Sequence, residues 1–262
     1  MKTNQILLPL LFAGLICLGS KTPENKWITE RYSEYDLFYQ TVDKNNVEDY
    51  TVFLSSGIGS VESFFGISFP EKFNVFVHPN RSSLDSTWQH DWNMPEFKSE
   101  CWMVASGVAS KLDMLSPKAW DTESCEHKYS DTLRTQNLIV HELVHVFHGQ
   151  MNASPDFSDT EAINWFIEGL ATYASGQCDS LRMAEVGQAI SDNNIPESLD
   201  EFWTGKLRYG LCGSVVMFID NKYGRDKLCA LLQFNKKAAL LGSLNTTESA
   251  LLEEWKKYML TP

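Results

Sequence analysis

Residues Gln136–Gln150 read QNLIVHELVHVFHGQ, and the reading of this stretch decides the fold. Leu138, Ile139, Leu143, Val144, Val146 and Phe147 make it apolar around almost the whole circumference of a helix, the pattern of a buried helix. Inside it, His141, Glu142 and His145 form the pattern H-E-x-x-H. Side chains four residues apart on a helix share a face one turn apart, so two imidazoles can grip one ion from the same side. Glu142, next to the first histidine, is placed to reach a water on that ion as a general base. Three of the six histidines fall between 141 and 148, and imidazoles on a buried helix need polar partners. One zinc ion per chain is the partner expected. The competing reading is an amphipathic helix whose histidines are incidental.

A zinc site open to water needs a third protein donor. The metzincin extension H-E-x-x-H-x-x-G-x-x-H is excluded, because the two required positions hold His148 and Met151. Glu161 to Gly176, EAINWFIEGLATYASG, has helical apolar spacing and two glutamates. Glu168 stands 23 positions after His145, enough for the polar loop Met151 to Asp159 and the start of a return helix. Glu161 is the alternative donor.

Trp165 to Tyr173, WFIEGLATY, resembles the W-x-x-E-G-x-A-x-Y signature of the gluzincin metallopeptidases, the thermolysin and aminopeptidase-N-like clan. It is most similar to the small bacterial peptidase MA-like domains. The resemblance covers roughly 107 to 224 at motif level. It implies an α+β, zincin-like fold: a small mixed β-sheet N-terminal to the motif helix and a mostly helical C-terminal half. It also implies hydrolysis of peptide bonds in a peptide or protein substrate, with Glu168 as the third zinc ligand. Glu161 lacks the following Gly-x-Ala. Gly169 and Ala171 are expected to let the second helix approach the motif helix closely. Gly107-Val108-Ala109 resembles the edge strand that holds an extended substrate in this family, the competing reading being a turn at Ser106-Gly107. Tyr209 lies where relatives place an oxyanion donor and is the nominee for that role; Tyr173 is read as a packing residue. No G-x-M-E-N motif stands upstream of His141, which speaks against a typical aminopeptidase.

The chain has 262 residues, a formal charge of −12 and 43% hydrophobic residues, which suits a globular protein and argues against a nucleic-acid partner. Residues 1–19 have the shape of a secretory signal peptide, with Lys2 ahead of the apolar run Ile6 to Leu18. Cys17 offers a lipoprotein leader instead, although bulky Ile16 precedes it. Either version places the protein outside the cytoplasm, with membrane association only through a lipid or an uncleaved leader. Residues 20–262 are read as one peptidase domain, with a sheet subdomain over about 30–150 and a helical one over about 151–262. A monomer is expected. Of Cys101, Cys125, Cys178, Cys212 and Cys229, the first two are expected to pair, as are two of the other three.

Local patterns supply the remaining elements. Tyr32 to Val42 alternates as a strand, Val47 to Phe65 is spaced as a helix, and Phe73 to His78 alternates as a strand. Asn80 to Phe97 reads as a loop; its Trp88 and Trp92, with Trp102, either line a pocket or pack beneath that loop. Cys101 to Leu115 reads as one or two strands. Leu199 to Gly224 centres on a helix opened by Tyr209 and stopped by Gly224, and Asp226 to Leu260 is helical. An alternative to the enzyme is a non-catalytic zinc-binding module that binds peptides or an envelope partner. Glu142 argues against it, because a structural site needs no base there.

Overall fold

The computed structural model describes residues 26–160 and 162–261. The leader, Cys17 and Glu161 lie outside the described residues, and the expectations placed on them stand where the sequence left them. Five strands, β1 (Ile28–Arg31), β2 (Tyr35–Tyr39), β3 (Phe73–His78), β4 (Ala105–Val108) and β5 (Lys111–Leu115), form one sheet in the order β1-β2-β3-β5-β4. β1 and β4 are antiparallel to their neighbours, while β2, β3 and β5 run parallel, so the sheet is mixed. Four helices accompany the sheet: α1 (Val47–Phe65), α2 (Arg81–Asp91), α3 (Trp120–Glu123) and the motif helix α4 (Thr132–Met151). The helical half adds α5 (Asn164–Ala174), α6 (Ser180–Ser191), α7 (Arg208–Tyr223), α8 (Arg225–Leu231), α9 (Lys237–Ser243) and α10 (Glu248–Leu260). This is the α+β class that the sequence implied. Among the described residues no helix is long and apolar enough to cross a membrane.

Period-two burial puts Tyr35, Leu37 and Tyr39 of β2 and Phe73, Val75 and Val77 of β3 into the core. Tyr50, Leu54, Ile58, Val61 and Phe65 of α1 meet them at helical spacing, and Gly66, at φ 74°, ends that helix in the left-handed conformation glycine favours. α4 starts at Asp131, whose side chain accepts from the Arg134 N–H. It buries Leu143, Val144, Val146 and Phe147, and the Phe147 ring stacks on Phe65 at 4.4 Å. Full burial of each such side chain contributes about 1.5–3 kcal/mol, enough to hold the intervening histidines in a rigid frame. Downstream, Leu211, Val215, Val216 and Ile219 of α7 are buried, and the Trp255 indole of α10 donates to the Ser214 hydroxyl at 3.1 Å.

Four expectations need correction. Asn80 to Phe97 is not a loop: the Asn80 side chain accepts from the Ser83 N–H and starts α2. The helix is hard to read because its apolar stripe is only Leu84 and Trp88, which pack with Val104, Leu115 and Trp120 in a small second core. Gly107 does lie in a strand, but that strand is Ala105–Val108 and leaves out Ala109. A Cβ on Gly107 would collide with the Glu142 carbonyl and come within 3.1 Å of the His145 Cβ, so its bareness lets the sheet edge rest on α4. Likewise a Cβ on Gly169 would collide with the Cys212 carbonyl; the small residue brings α5 against α7, not against α4. Finally, Cys101 pairs with Cys125 as expected, but Cys178, Cys212 and Cys229 are free thiols. Cys212 is sealed in the α7 core, Cys178 lies over Gly213, and the Cys229 thiol faces the Phe65 carbonyl.

Candidate metal centre

β4 on one side and α5, α6 and the start of α7 on the other enclose a cleft of about 700 Å³, with α4 as its floor. His141 and His145 project into it from successive turns, and both are buried. Their Nε2 atoms are 3.1 Å apart. Glu168, brought in by α5, places Oε2 at 3.4 Å from the Nε2 of His141 and 3.7 Å from that of His145. The three residues form a group able to hold a metal ion. For a tetrahedral zinc with bonds of about 2.0–2.2 Å, ligand atoms stand about 3.3–3.6 Å apart. The three observed separations bracket that edge length, and two nitrogens with one carboxylate oxygen are donors zinc accepts, so the residues fit the ion.

The electrostatics follow from this crowding. Burial pushes the Glu168 carboxyl up, but the charge of His145 and hydrogen bonds from His141 and His145 outweigh it and hold the group well below the usual carboxylate range. Burial would lower His145; the charge of Glu168 and its hydrogen bond reverse the sign and raise it. Glu142 also lines the cleft, and burial raises its carboxyl against the opposing charges of His145 and His141. A carboxyl raised in this way is a better proton acceptor than an ordinary glutamate.

Tyr209 reaches the same cleft from the first turn of α7, its ring 6.1 Å from that of His141. Burial, helped by the charge of Glu168, pushes its phenol up to about 12, so it keeps its proton at neutral pH. Tyr173 points elsewhere: its hydroxyl donates to Asp220 at 2.8 Å and its ring packs on Phe64. All three tryptophans border the cleft: Trp88 from the small second core, Trp92 stacked on it at 4.9 Å, and Trp102.

Several neighbours of the site were not foreseen. The Gln177 amide lies 3.4 Å from the outer nitrogen, Nδ1, of His141 and also contacts the Asn137 carbonyl. Arg182, Arg208 and Trp203 surround Tyr209. Each comes from a different segment, and no short-range spacing links any of them to H-E-x-x-H.

No family model matches this sequence, and no curated protein matches it. Its fold is similar to that of a solved M1 zinc metallopeptidase from Deinococcus radiodurans, at 17% identity and a TM-score of 0.47, over 90% of this chain and 51% of that one. A mutant of that metallopeptidase aligns at 15% identity and TM-score 0.46, covering 90% of this chain and 52% of that one. A two-domain mutant form bound to L-arginine aligns at 14% and 0.44, over the same shares of the two chains. The present chain thus spans about half the length of these structures.

Proposed function

We propose that this protein is a zinc-dependent peptidase, with His141, His145 and Glu168 as metal ligands and Glu142 as general base. The observation that carries the reading is the convergence of two imidazole nitrogens and one carboxylate oxygen at separations that bracket a tetrahedral edge, in an open cleft shared with Glu142. A zinc ion bound there supplies a Lewis acid that polarises a carbonyl and brings the pKa of water towards neutral. Glu142 accepts the proton of the attacking water and passes it to the leaving amine. Tyr209, still protonated at neutral pH, donates a hydrogen bond to the oxygen that gains charge as the carbonyl is attacked. A location outside the cytoplasm belongs to the same proposal, supported by the Cys101–Cys125 disulfide, since such bonds persist in oxidising compartments.

The test is a peptide-library digest with added zinc, with Glu142→Gln as control. The wild type should cleave, and the variant should keep its zinc but lose about 10²- to 10⁴-fold in rate. Equal cleavage by both proteins would mark a contaminant and end the assignment.

A further inference from the structure

One wall of the cleft carries aromatic surface that the metal centre does not use. Trp92, at the C-terminal end of α2, lines the cleft and is 37% exposed, a large apolar side chain left in contact with water. One face of its indole stacks on Trp88, with the centroids 4.9 Å apart and the planes inclined by 17°. Phe97 meets Trp92 edge-on, also at 4.9 Å. Were Phe97 on the face opposite Trp88, the centroids of Trp88 and Phe97 would stand at twice 4.9 Å. They are 6.3 Å apart, so Phe97 sits beside the ring and leaves its second face open. Among the described residues no other aromatic ring and no cation covers that face. Hydrogen bonds fix the turn around it. The Trp92 N–H donates to the Trp88 carbonyl and the Met94 N–H to the Gln89 carbonyl, both at 2.9 Å, and the Gln89 side-chain amide donates to the Phe97 carbonyl at 2.7 Å.

A rigid apolar face open to water is stabilised by a second flat apolar group laid on it. The polar groups that a sugar would need beside such a ring are already engaged, Asp91 by Lys111 and the Gln89 amide by the Phe97 carbonyl. β4 sets the distance from this face to the metal ligands. Gly107 rests against His145, and Val104, three residues earlier, packs with Trp88 in the second core. The Leu115 N–H donates to the Val104 carbonyl at 2.7 Å, so the extended ladder continues through Val104. At about 3.3 Å per extended residue, the two points lie roughly 10 Å apart. From this geometry we infer a specificity subsite: the open face of Trp92 takes an aromatic side chain of the peptide substrate, about two to four residues from the bond to be cut. The inference rests on the peptidase reading for its substrate, and the experiment separates the two.

Short labelled peptides of alanine and serine, with phenylalanine walked through every position, are titrated by fluorescence anisotropy into zinc-loaded Glu142→Gln protein, in which turnover is suppressed. At one position phenylalanine should bind about tenfold tighter than alanine, the size of an aromatic pair with its apolar area. Adding Trp92→Ala should bring that ratio close to one, while Trp92→Phe should keep part of it. A merely structural role would not move the ratio, because loosening α2 weakens all the peptides alike. A walk in which no position favours phenylalanine overturns the subsite, and so does a preference that survives Trp92→Ala at every position. If Trp92→Ala fails to fold, Trp92→Leu, which keeps an apolar cover on Trp88 but no flat face, carries the same comparison. The ratio should fall, and an unchanged ratio overturns the subsite. Cleavage of the same peptides by wild type is scored separately by mass spectrometry. A cut about two to four residues from the favoured phenylalanine supports the placement, and a cut immediately beside it overturns it. Selective binding without cleavage supports the subsite and removes the peptidase; cleavage without selectivity does the reverse.

Discussion

Neighbouring turns of α4 carry the same residue type in opposite surroundings. His141 and His145 face the cleft, with the Glu168 carboxylate within 3.4 and 3.7 Å of their Nε2 atoms. His148, less than one turn further on, is fully buried between the edges of Phe157 and Phe166. Its Nε2 lies 3.4 Å from the Asn152 amide, which in turn donates to the Leu232 and Phe234 carbonyls, and its Nδ1 has no partner. Burial pushes its pKa down to about 3, whereas the neighbouring carboxylate raises that of His145. One helix therefore holds a metal-competent pair and an inert structural imidazole. What separates them is whether a carboxylate arrives from the facing segment: Phe157 edges both His145 and His148, but Glu168 reaches only the cleft pair.

The contrast is most exposed to Glu168→Gln, which should disable the cleft-facing pair alone. A four-ligand zinc site is worth about 10–16 kcal/mol, so losing one charged donor should weaken zinc about 10²- to 10³-fold, with the fold intact by circular dichroism. Undiminished zinc affinity in a competition titration would erase the distinction between the cleft pair and His148.

The interior imidazole, His148, answers to pH. The folded-state value of His148 lies below the 6.5 of an ordinary histidine, so the unfolded chain takes up the extra proton. Stability is then fully present above pH 6.5 and lost as the pH falls towards about 3, by about 1.4 kcal/mol for each pH unit. Urea melts of metal-free wild type and His148→Leu should therefore diverge below pH 6.5, the wild type falling more steeply, while the variant keeps its zinc affinity. Parallel slopes in the two proteins would sink the claim that His148 is held neutral.

Beside the cleft pair, Gly107→Ala tests how tightly β4 rests on α4. The added methyl meets the Glu142 carbonyl, which is backbone and cannot swing away, so a loss of about 1–3 kcal/mol is expected by thermal melting. An unchanged melt would mean that the sheet edge is free to shift. Gln177→Leu should act least: its amide nitrogen faces Nδ1, which is itself a donor once Nε2 holds zinc, so it orients His141 only by turning its amide oxygen to the ring, and zinc should weaken by at most about tenfold. No change in zinc affinity would show that the His141 ring is held by packing alone.

Legibility followed the range of the interactions. α1, β3 and the closing helix α10 were readable because period-two and period-3.6 burial is written into consecutive residues. α2 escaped because two apolar residues make too narrow a stripe, and its real signal was the capping side chain of Asn80. Gly107 and Gly169 were noticed as small, but their partners were misassigned, since a bare Cα records that something approaches and not what approaches. One free thiol among Cys178, Cys212 and Cys229 was expected; that all three are free was missed, because spacing along the chain does not report which side chains meet.

Taken alone, the order of residues determined that His141, Glu142 and His145 share a turn of a buried helix, because helical periodicity is a local property of the backbone. It also marked Glu168 as the carboxylate to watch, through the residues that flank it. Only the packing of α5 and α7 decided that this carboxylate meets those rings, that it does not meet His148, and that Gln177 and Tyr209 come up against His141. Such meetings are set by how whole apolar faces bury one another, and no short stretch of chain carries that information.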